Sequence, residues 1–284
     1  MSNKDNCIGV VGSGTMGNGI AHVLSQANYK VFLVDLDEAI LNKALKVISN
    51  NMRRQVKKEL ISQAEMENYI SNITISTDMN CLKESFAVIE AASENEKIKT
   101  DIFKNLDSIC SNQTILASNT SSISITKIAN ATNRPDKIIG MHFMNPVPVM
   151  KLIEVIKGKD TSEKTLETIL EISKQLNKIP LECNDSPGFI SNRILMPLIN
   201  EATYCLMENI ADKESIDGIM KLGMGHPMGP LMLADLIGID VCVSIMKVLE
   251  EGLTSKKYAP CPLLLDMVKS NKLGKKTNEG FYKY

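Results

Sequence analysis

The sequence predicts an α/β protein, with a doubly wound, mostly parallel sheet in its N-terminal part and an all-helical C-terminal domain. Short apolar runs alternate with helical patterns as far as Cys183, which is typical of parallel strands joined by crossover helices. A glycine-rich loop joins the first strand to the first helix. After Asn184-Asp-Ser-Pro-Gly188 only helical patterns continue, so we predict domains at residues 1–184 and 185–284.

The composition excludes several classes of function. The chain has 284 residues, of which 44% are hydrophobic, and its formal net charge of -1 favours neither nucleic acid nor an anionic membrane as a partner. A small-molecule partner is therefore expected. Seven cysteines without a C-x-x-C spacing argue against a disulfide framework or a zinc site, so no metal is expected. The polar segment from Met1 to Asn6 has no apolar targeting region, which favours the cytoplasm.

The first strand, loop and second strand form a βαβ unit. The strand Cys7-Ile-Gly-Val-Val11 leads into Gly12-Ser-Gly-Thr-Met-Gly17 and then into a helical pattern. A second apolar strand, from Tyr29 to Val34, ends in Asp35, about 20 residues beyond the first glycine. A lone G-x-G-x-x-G motif is weak evidence, but the flanking strands and the terminal acid make it specific for a Rossmann-type dinucleotide-binding unit.

Each part of this loop has a predicted role in holding the cofactor. The first glycine permits a tight turn, the second lets the backbone approach a pyrophosphate, and the third lets the helix pack closely. The helix N-terminus offers amide groups and positive potential to the phosphates. Asp35 would accept hydrogen bonds from the adenosine ribose, and the acids after it would repel a 2'-phosphate, so NAD is predicted rather than NADP. A glycine-rich turn without a nucleotide is the alternative. The loop residues predicted to contact the cofactor are Gly12, Gly14, Thr15, Met16 and Gly17.

Residues 38–70 have a helical pattern with many basic side chains, including Arg54 and Lys58. Such a pattern usually marks a solvated helix face. The functional alternative is that this basic face receives phosphates carried by the substrate.

A cluster of small polar side chains, Ser118-Asn-Thr-Ser-Ser122, follows the strand predicted at Thr114–Ala117. Open α/β sheets bind ligands at the carboxyl ends of their strands, so the cluster is a candidate ligand site. It could equally form the N-cap of the helix predicted at Ile123–Ala129. Both interpretations can hold together.

The segment from Gly140 to Glu154 contains two β-type runs separated by a turn with two prolines. This arrangement can bring His142 and Glu154 face to face. A carboxylate beside an imidazole fixes its tautomer and stabilises the imidazolium, which suits proton transfer near neutral pH. The alternative is a buried histidine with a hydrogen-bonded partner.

Taken together, these motifs resemble the (S)-3-hydroxyacyl-CoA dehydrogenase family, in particular its short bacterial members that act on 3-hydroxybutyryl-CoA. The resemblance runs in order over nearly the whole chain, including the terminal Gly274-Lys-Lys-Thr-Asn-Glu-Gly-Phe-Tyr. Its motifs are Val11-Gly-Ser-Gly-Thr-Met-Gly, Ala117-Ser-Asn-Thr-Ser-Ser, Met141-His-Phe-Met-Asn-Pro-Val-Pro-Val-Met-Lys-Leu-Ile-Glu, Ser186-Pro-Gly-Phe-Ile-Ser-Asn-Arg and Gly225-His-Pro-Met-Gly-Pro.

The resemblance implies a hydride exchange between the nicotinamide of NAD and C3 of an acyl-CoA, in fatty acid or butyrate metabolism. It implies that His142 is the acid/base, that Glu154 orients it, and that Ser121 and Asn192 hold substrate oxygens. Lys58 and Arg54 match the region that meets the CoA phosphates, although Asn51 departs from the serine of some relatives. The family also implies a homodimer through the C-terminal domain. The implied cofactor contacts beyond the loop are Asp35, Glu94, Lys99, Ser121, Asn145 and Lys276.

Two other functions are compatible with the scaffold. One is an NAD-dependent dehydrogenase of a free 3-hydroxy acid or sugar acid. The other is a non-catalytic relative that binds NAD, as in lens proteins, although the presence of all four implied active-site residues argues against it. His22 and His226 are interpreted as structural.

Overall fold

The computed structural model describes residues 7–284, which divide into two compact units. The first unit ends at Asp185 and the second begins at Ser186, whereas the sequence predicts the boundary after residue 184. The polar N-terminal segment on which the prediction of no targeting region rests lies outside the described residues. Within residues 7–284, every helix is too short or too polar to cross a lipid bilayer.

An eight-stranded sheet forms the centre of the N-terminal unit. Its strands are β1 (Cys7–Val11), β2 (Lys30–Val34), β3 (Ile73–Ser76), β4 (Ala87–Glu90), β5 (Ile115–Ser118), β6 (Ile138–Phe143), β7 (Leu152–Lys157) and β8 (Ile179–Asn184). Their order is β3-β2-β1-β4-β5-β6-β7-β8, and among these described strands only β6 and β7 pair antiparallel. The first six follow the Rossmann order, so the predicted fold class is confirmed.

Helices join the strands of the N-terminal unit and pack against its sheet. They are α1 (Thr15–Gln26), α2 (Glu38–Lys57), α3 (Gln63–Ser71), α4 (Glu96–Ile109), α5 (Ile125–Ala129) and α6 (Glu163–Gln175). All four residues of β4 and all six of β6 are buried, because helices cover both faces of a parallel sheet. The carboxyl ends of β1, β2, β4, β5 and β6 carry the glycine loop, Asp35, Glu94, Ser121 and His142.

The structure corrects the single helical stretch predicted over residues 38–70. Helix α2 ends at Lys57, and Glu59 has a left-handed φ of 56° that no helix accommodates. Ser62 then starts α3 with a capping box, in which its hydroxyl accepts from the Glu65 amide and the Glu65 carboxylate accepts from the Ser62 amide. Strand β3 was not predicted, because its four residues are too few for a clear alternating pattern.

The C-terminal unit is all helical, as predicted. Its helices are α7 (Ser191–Met207), α8 (Lys213–Met224), α9 (Pro230–Ile237), α10 (Ile239–Leu253) and α11 (Pro262–Lys269). Gly238, whose φ is 105°, separates α9 from α10. Buried Asp235 on α9 accepts hydrogen bonds from the backbone amides of Phe281 and Tyr282, which fixes the C-terminal segment to this unit.

Buried His22 on α1 makes stability depend on pH. Burial lowers the pKa of His22 to about 4, from an ordinary value of 6.5. Because the folded protein leaves this imidazole neutral where the unfolded chain protonates it, stability is lost as pH falls from 6.5 towards 4. Over this window we expect the unfolding free energy of the wild type to drop by roughly 3 kcal/mol more than that of His22→Gln. Urea unfolding at several pH values measures this difference, and parallel profiles would contradict the assignment.

Candidate active site

The glycine loop lines a cleft of about 970 Å³ in the N-terminal unit, together with Thr15, Met16 and Asp35. Gly12 has a φ of 94°, and a Cβ there would lie 2.7 Å from the Ala91 carbonyl oxygen. A Cβ at Gly17 would lie 1.7 Å from the Gly12 carbonyl oxygen, so only glycine lets α1 pack this close to the loop. A Cβ at Gly14 would meet open space, which leaves the backbone there accessible to a pyrophosphate.

Asp35 stands at the wall of the same cleft, just beyond the end of β2. Its Oδ2 accepts hydrogen bonds from the amide and the hydroxyl of Ser13, both at 2.7 Å. Its Oδ1 accepts from the Leu36 amide at 2.7 Å. A carboxylate fixed in this way suits ribose hydroxyl groups and repels a phosphate. The accessible glycine loop and this acid together fit NAD.

Glu94 organises the polar cluster that follows β5. Its Oε1 lies within hydrogen-bonding distance of the hydroxyl of Thr120 (2.6 Å), the amide and hydroxyl of Ser121 (2.9 and 3.2 Å) and the amide and hydroxyl of Ser122 (3.1 and 3.2 Å). Partial burial alone would raise the pKa of Glu94, but the Lys99 ammonium and these donors outweigh it and lower the pKa. Glu94 therefore holds Ser121 in place as a charged carboxylate.

The alternative role for this cluster, as the N-cap of the next helix, is wrong. Helix α5 begins at Ile125, and its cap is Ser124, whose hydroxyl accepts from the Lys127 amide at 3.2 Å. Asp185 in turn accepts from the Ser124 hydroxyl at 2.7 Å. The cluster before Ser124 is thus not used to start the helix.

Lys99 is buried, with 1% of its side chain exposed, although the resemblance implies that it contacts the cofactor. Its Nζ lies 2.7 Å from Glu90 Oε1 and 3.3 Å from Glu94 Oε2. It also donates to the Ala92 carbonyl oxygen at 3.3 Å. The cofactor role of Lys99 stays a prediction. The sequence analysis missed Glu90, whose signal is a single acid that closes the apolar run from Phe86.

His142 and Glu154 face each other across the antiparallel pair of β6 and β7, where they are register partners. His142 Nδ1 lies 3.0 Å from Glu154 Oε2, and the two side chains are 11% and 6% exposed. An ionised carboxylate only accepts, so beside ionised Glu154 the hydrogen of a neutral imidazole lies on Nδ1. The contact expected from the proline-containing turn is present.

Two further contacts fix the surroundings of this pair. The Phe143 amide, next to His142, donates to the Asn119 side-chain oxygen at 2.9 Å, which ties β6 to the polar cluster. The ammonium of buried Lys178 donates to the carbonyl oxygens of Val147 and Met150 at 2.5 and 2.6 Å. It thereby holds the turn that begins at exposed Asn145, the residue whose cofactor contact stays a prediction.

The remaining candidate residues lie elsewhere. Arg54, on α2, and Lys58, just after it, are exposed in the N-terminal unit, as binding of CoA phosphates requires. In the C-terminal unit, Asn192 is buried on the first turn of α7. The Lys276 side chain is 44% exposed, and its Nζ lies 2.5 Å from the carboxylate of Asp240. Among residues 7–284, no cluster of His, Cys, Asp or Glu could hold a metal ion.

Comparison with known proteins identifies the family. Residues 7–186 match the NAD binding domain of 3-hydroxyacyl-CoA dehydrogenase, and residues 188–284 match its C-terminal domain. The probable 3-hydroxybutyryl-CoA dehydrogenase of Bacillus subtilis is 50% identical over 275 residues, covering 97% of this chain and 96% of that protein. The human mitochondrial hydroxyacyl-coenzyme A dehydrogenase is 46% identical, covering 97% of this chain and 90% of that protein.

A solved structure agrees with these relatives. The crystal structure of (S)-3-hydroxybutyryl-CoA dehydrogenase from Ralstonia eutropha is similar with a TM-score of 0.97 and 46% identity, covering 99% of each chain. The family matches, the cleft that fits NAD and the sheet order all lead to the same conclusion. The chain belongs to the 3-hydroxyacyl-CoA dehydrogenase family and is an NAD-dependent oxidoreductase of that family.

Proposed function

We propose that this protein interconverts (S)-3-hydroxybutyryl-CoA and acetoacetyl-CoA with NAD(H). The observation that carries the proposal is the contact of 3.0 Å between His142 Nδ1 and Glu154 Oε2 at the end of β6. Family membership supports the reaction type, and the names of the bacterial relatives support the short acyl chain.

In the proposed mechanism, His142 manages the proton on the C3 oxygen of the substrate. During oxidation Nε2 removes the hydroxyl proton, and during reduction the protonated ring returns it. Glu154 holds the proton on Nδ1 and stabilises the imidazolium that forms. NAD supplies the hydride chemistry when it is bound.

Other residues would hold the substrate in the orientation that this proton transfer needs. Ser121, fixed by Glu94, and Asn192 are proposed to hold substrate oxygens. Arg54 and Lys58 are proposed to pair with the CoA phosphates, since both are exposed and cationic. Lys276, Asn145 and Lys99 remain proposed cofactor contacts.

An absorbance assay at the nicotinamide band tests the proposed substrate and cofactor. We expect the purified protein to oxidise NADH with acetoacetyl-CoA and to be far slower with free acetoacetate, because the free acid lacks the CoA handle. NADPH should be a poor substitute, since Asp35 and the acids after it would face the 2'-phosphate. Equal turnover of acetoacetate would favour a free-acid dehydrogenase, and no turnover of any substrate would favour a non-catalytic relative.

We also propose that two copies associate through the C-terminal unit. The proposal is supported by a set of large apolar side chains on this unit, which are exposed to water although hydration of apolar surface is unfavourable. Sedimentation velocity should show a dimer for the wild type and a smaller species for Leu222→Glu, while a monomeric wild type would refute the proposal. The apolar side chains concerned are Ile194, Ile210, Ile219, Leu222 and Met224.

A cytoplasmic location stays a prediction.

A further inference from the structure

We propose that Glu90 is a positioning residue, which fixes Lys99 and through it the Glu94 carboxylate that orders the polar cluster containing Ser121. The inference deepens the proposed function, because it concerns the loop that would hold both substrate and nicotinamide. Glu90 lies outside every motif that carries the family resemblance.

Glu90 is completely buried at the last position of β4, where parallel strands end at the cleft. Its Oε1 accepts from Lys99 Nζ at 2.7 Å and from the Ala92 amide at 2.6 Å. Its Oε2 accepts from the Ser118 hydroxyl at 2.6 Å. One carboxylate therefore ties β4 to β5, to the segment after β4 and to α4.

Lys99 connects Glu90 to Glu94. Its ammonium has three donors, and it has three acceptors in Glu90, Glu94 and the Ala92 carbonyl. Buried charge is tolerated when it is paired and fully hydrogen-bonded, so Lys99 has little freedom to move. The Glu94 Oε2 that it contacts belongs to the carboxylate whose other oxygen holds Thr120, Ser121 and Ser122.

The charges of this network explain why replacing Glu90 should change the position of Ser121. Two carboxylates share one buried ammonium, and only Glu94 is partly exposed, with 39% of its side chain accessible. If Glu90 loses its charge, Lys99 keeps one anionic partner, Glu94. The attraction between Lys99 and the Glu94 carboxylate is then no longer shared with Glu90, so the position of Glu94 beside the polar cluster changes. Glutamine has one side-chain oxygen where Glu90 uses two, so either Ser118 or the pair of Lys99 and the Ala92 amide loses its acceptor to an NH₂ group.

A purely structural ion pair is the competing explanation, and the same helix provides one for comparison. Asp107 on α4 lies 2.6 Å from Arg134, and the two side chains are 8% and 6% exposed. This pair makes no contact with the polar cluster in the described residues. Asp107→Asn therefore removes a buried negative charge that pairs with a cation, as Glu90→Gln does. It leaves the contacts from Glu90 through Lys99 and Glu94 to Ser121 unchanged.

The test compares Glu90→Gln, Ser118→Ala and Asp107→Asn in the full-length protein. NADH affinity is measured by fluorescence titration, melting temperature by calorimetry, and kcat and KM with acetoacetyl-CoA. We expect Glu90→Gln to raise the Kd for NADH by roughly tenfold, by analogy with the lower end of what loss of an outer hydrogen-bonding partner costs at metal sites. Ser118→Ala should change it in the same direction by a smaller factor, and Asp107→Asn should lower the melting temperature with Kd unchanged.

The inference is overturned if Glu90→Gln and Ser118→Ala lower the melting temperature as Asp107→Asn does but leave the Kd for NADH within twofold of wild type. If Glu90→Gln does not fold, Ser118→Ala decides by the same criterion. The titration uses NADH alone, so it is independent of the acyl substrate. A protein that ignores acetoacetyl-CoA but binds NADH more weakly in these variants would refute the proposed function and support this inference.

Discussion

Replacing His142 with glutamine should lower kcat for acetoacetyl-CoA reduction by about three orders of magnitude, within the range that loss of a general acid/base produces. Glutamine fills a similar volume on β6 and can still hydrogen-bond to Glu154. It cannot take up and release a proton near neutral pH, so the proton on the substrate C3 oxygen must then be exchanged with water. Steady-state kinetics at saturating NADH and acetoacetyl-CoA measures the loss.

Binding separates this effect from general damage. His142 lies on β6, away from the glycine loop and Asp35, so the Kd of His142→Gln for NADH should stay within a few-fold of wild type. The melting temperature reports whether the buried pair was needed for folding. Turnover within tenfold of wild type would show that another group exchanges the proton.

Replacing Glu154 with glutamine is expected to have the next largest effect, a fall in kcat of about 100-fold or more. The amide carries no charge to stabilise the imidazolium, and it can present its NH₂ group to Nδ1 and so favour the wrong tautomer. The chemical step should suffer more than substrate binding, because Glu154 acts through His142. Comparison of kcat with KM for acetoacetyl-CoA separates these contributions.

An adjacent acid supplies the control for this variant. Glu182 on β8 is a register neighbour of Val155, the residue after Glu154, and its side chain is exposed. Glu182→Gln removes the same charge from the neighbouring strand and should keep wild-type kcat. If both variants lost activity equally, the effect would belong to the net charge of this sheet edge.

The parts of the fold that could be predicted from the sequence are those whose geometry depends on residues close together in the chain. The glycine loop, its flanking strands and Asp35 form a unit whose geometry depends mainly on neighbouring residues, and it was predicted as observed. The doubly wound, mostly parallel sheet could be anticipated because alternating strands and helices leave few right-handed arrangements. The break between α2 and α3 was missed because the capping box at Ser62 lies inside a continuous charged helical pattern.

The candidate site likewise has one part that could be predicted from the sequence and one part that could not. The facing of His142 and Glu154 could be anticipated, because a turn between two β-type runs places residues opposite each other, although their catalytic role stays a prediction. The network of Glu90, Lys99 and Glu94 could not be found from spacing. It depends on β4, α4 and the loop after β5 meeting in space, and in the sequence Glu90 is only one acid at the end of an apolar run.

The central claim is that His142 exchanges the proton of the substrate C3 oxygen. The most direct test is a single-turnover experiment, in which NADH bound to an excess of protein is mixed with excess acetoacetyl-CoA and the nicotinamide absorbance is followed in time. If His142 exchanges this proton, the wild type decays fast and His142→Gln decays more slowly by about three orders of magnitude, with NADH bound in both. Equal decay rates in the two proteins would contradict it.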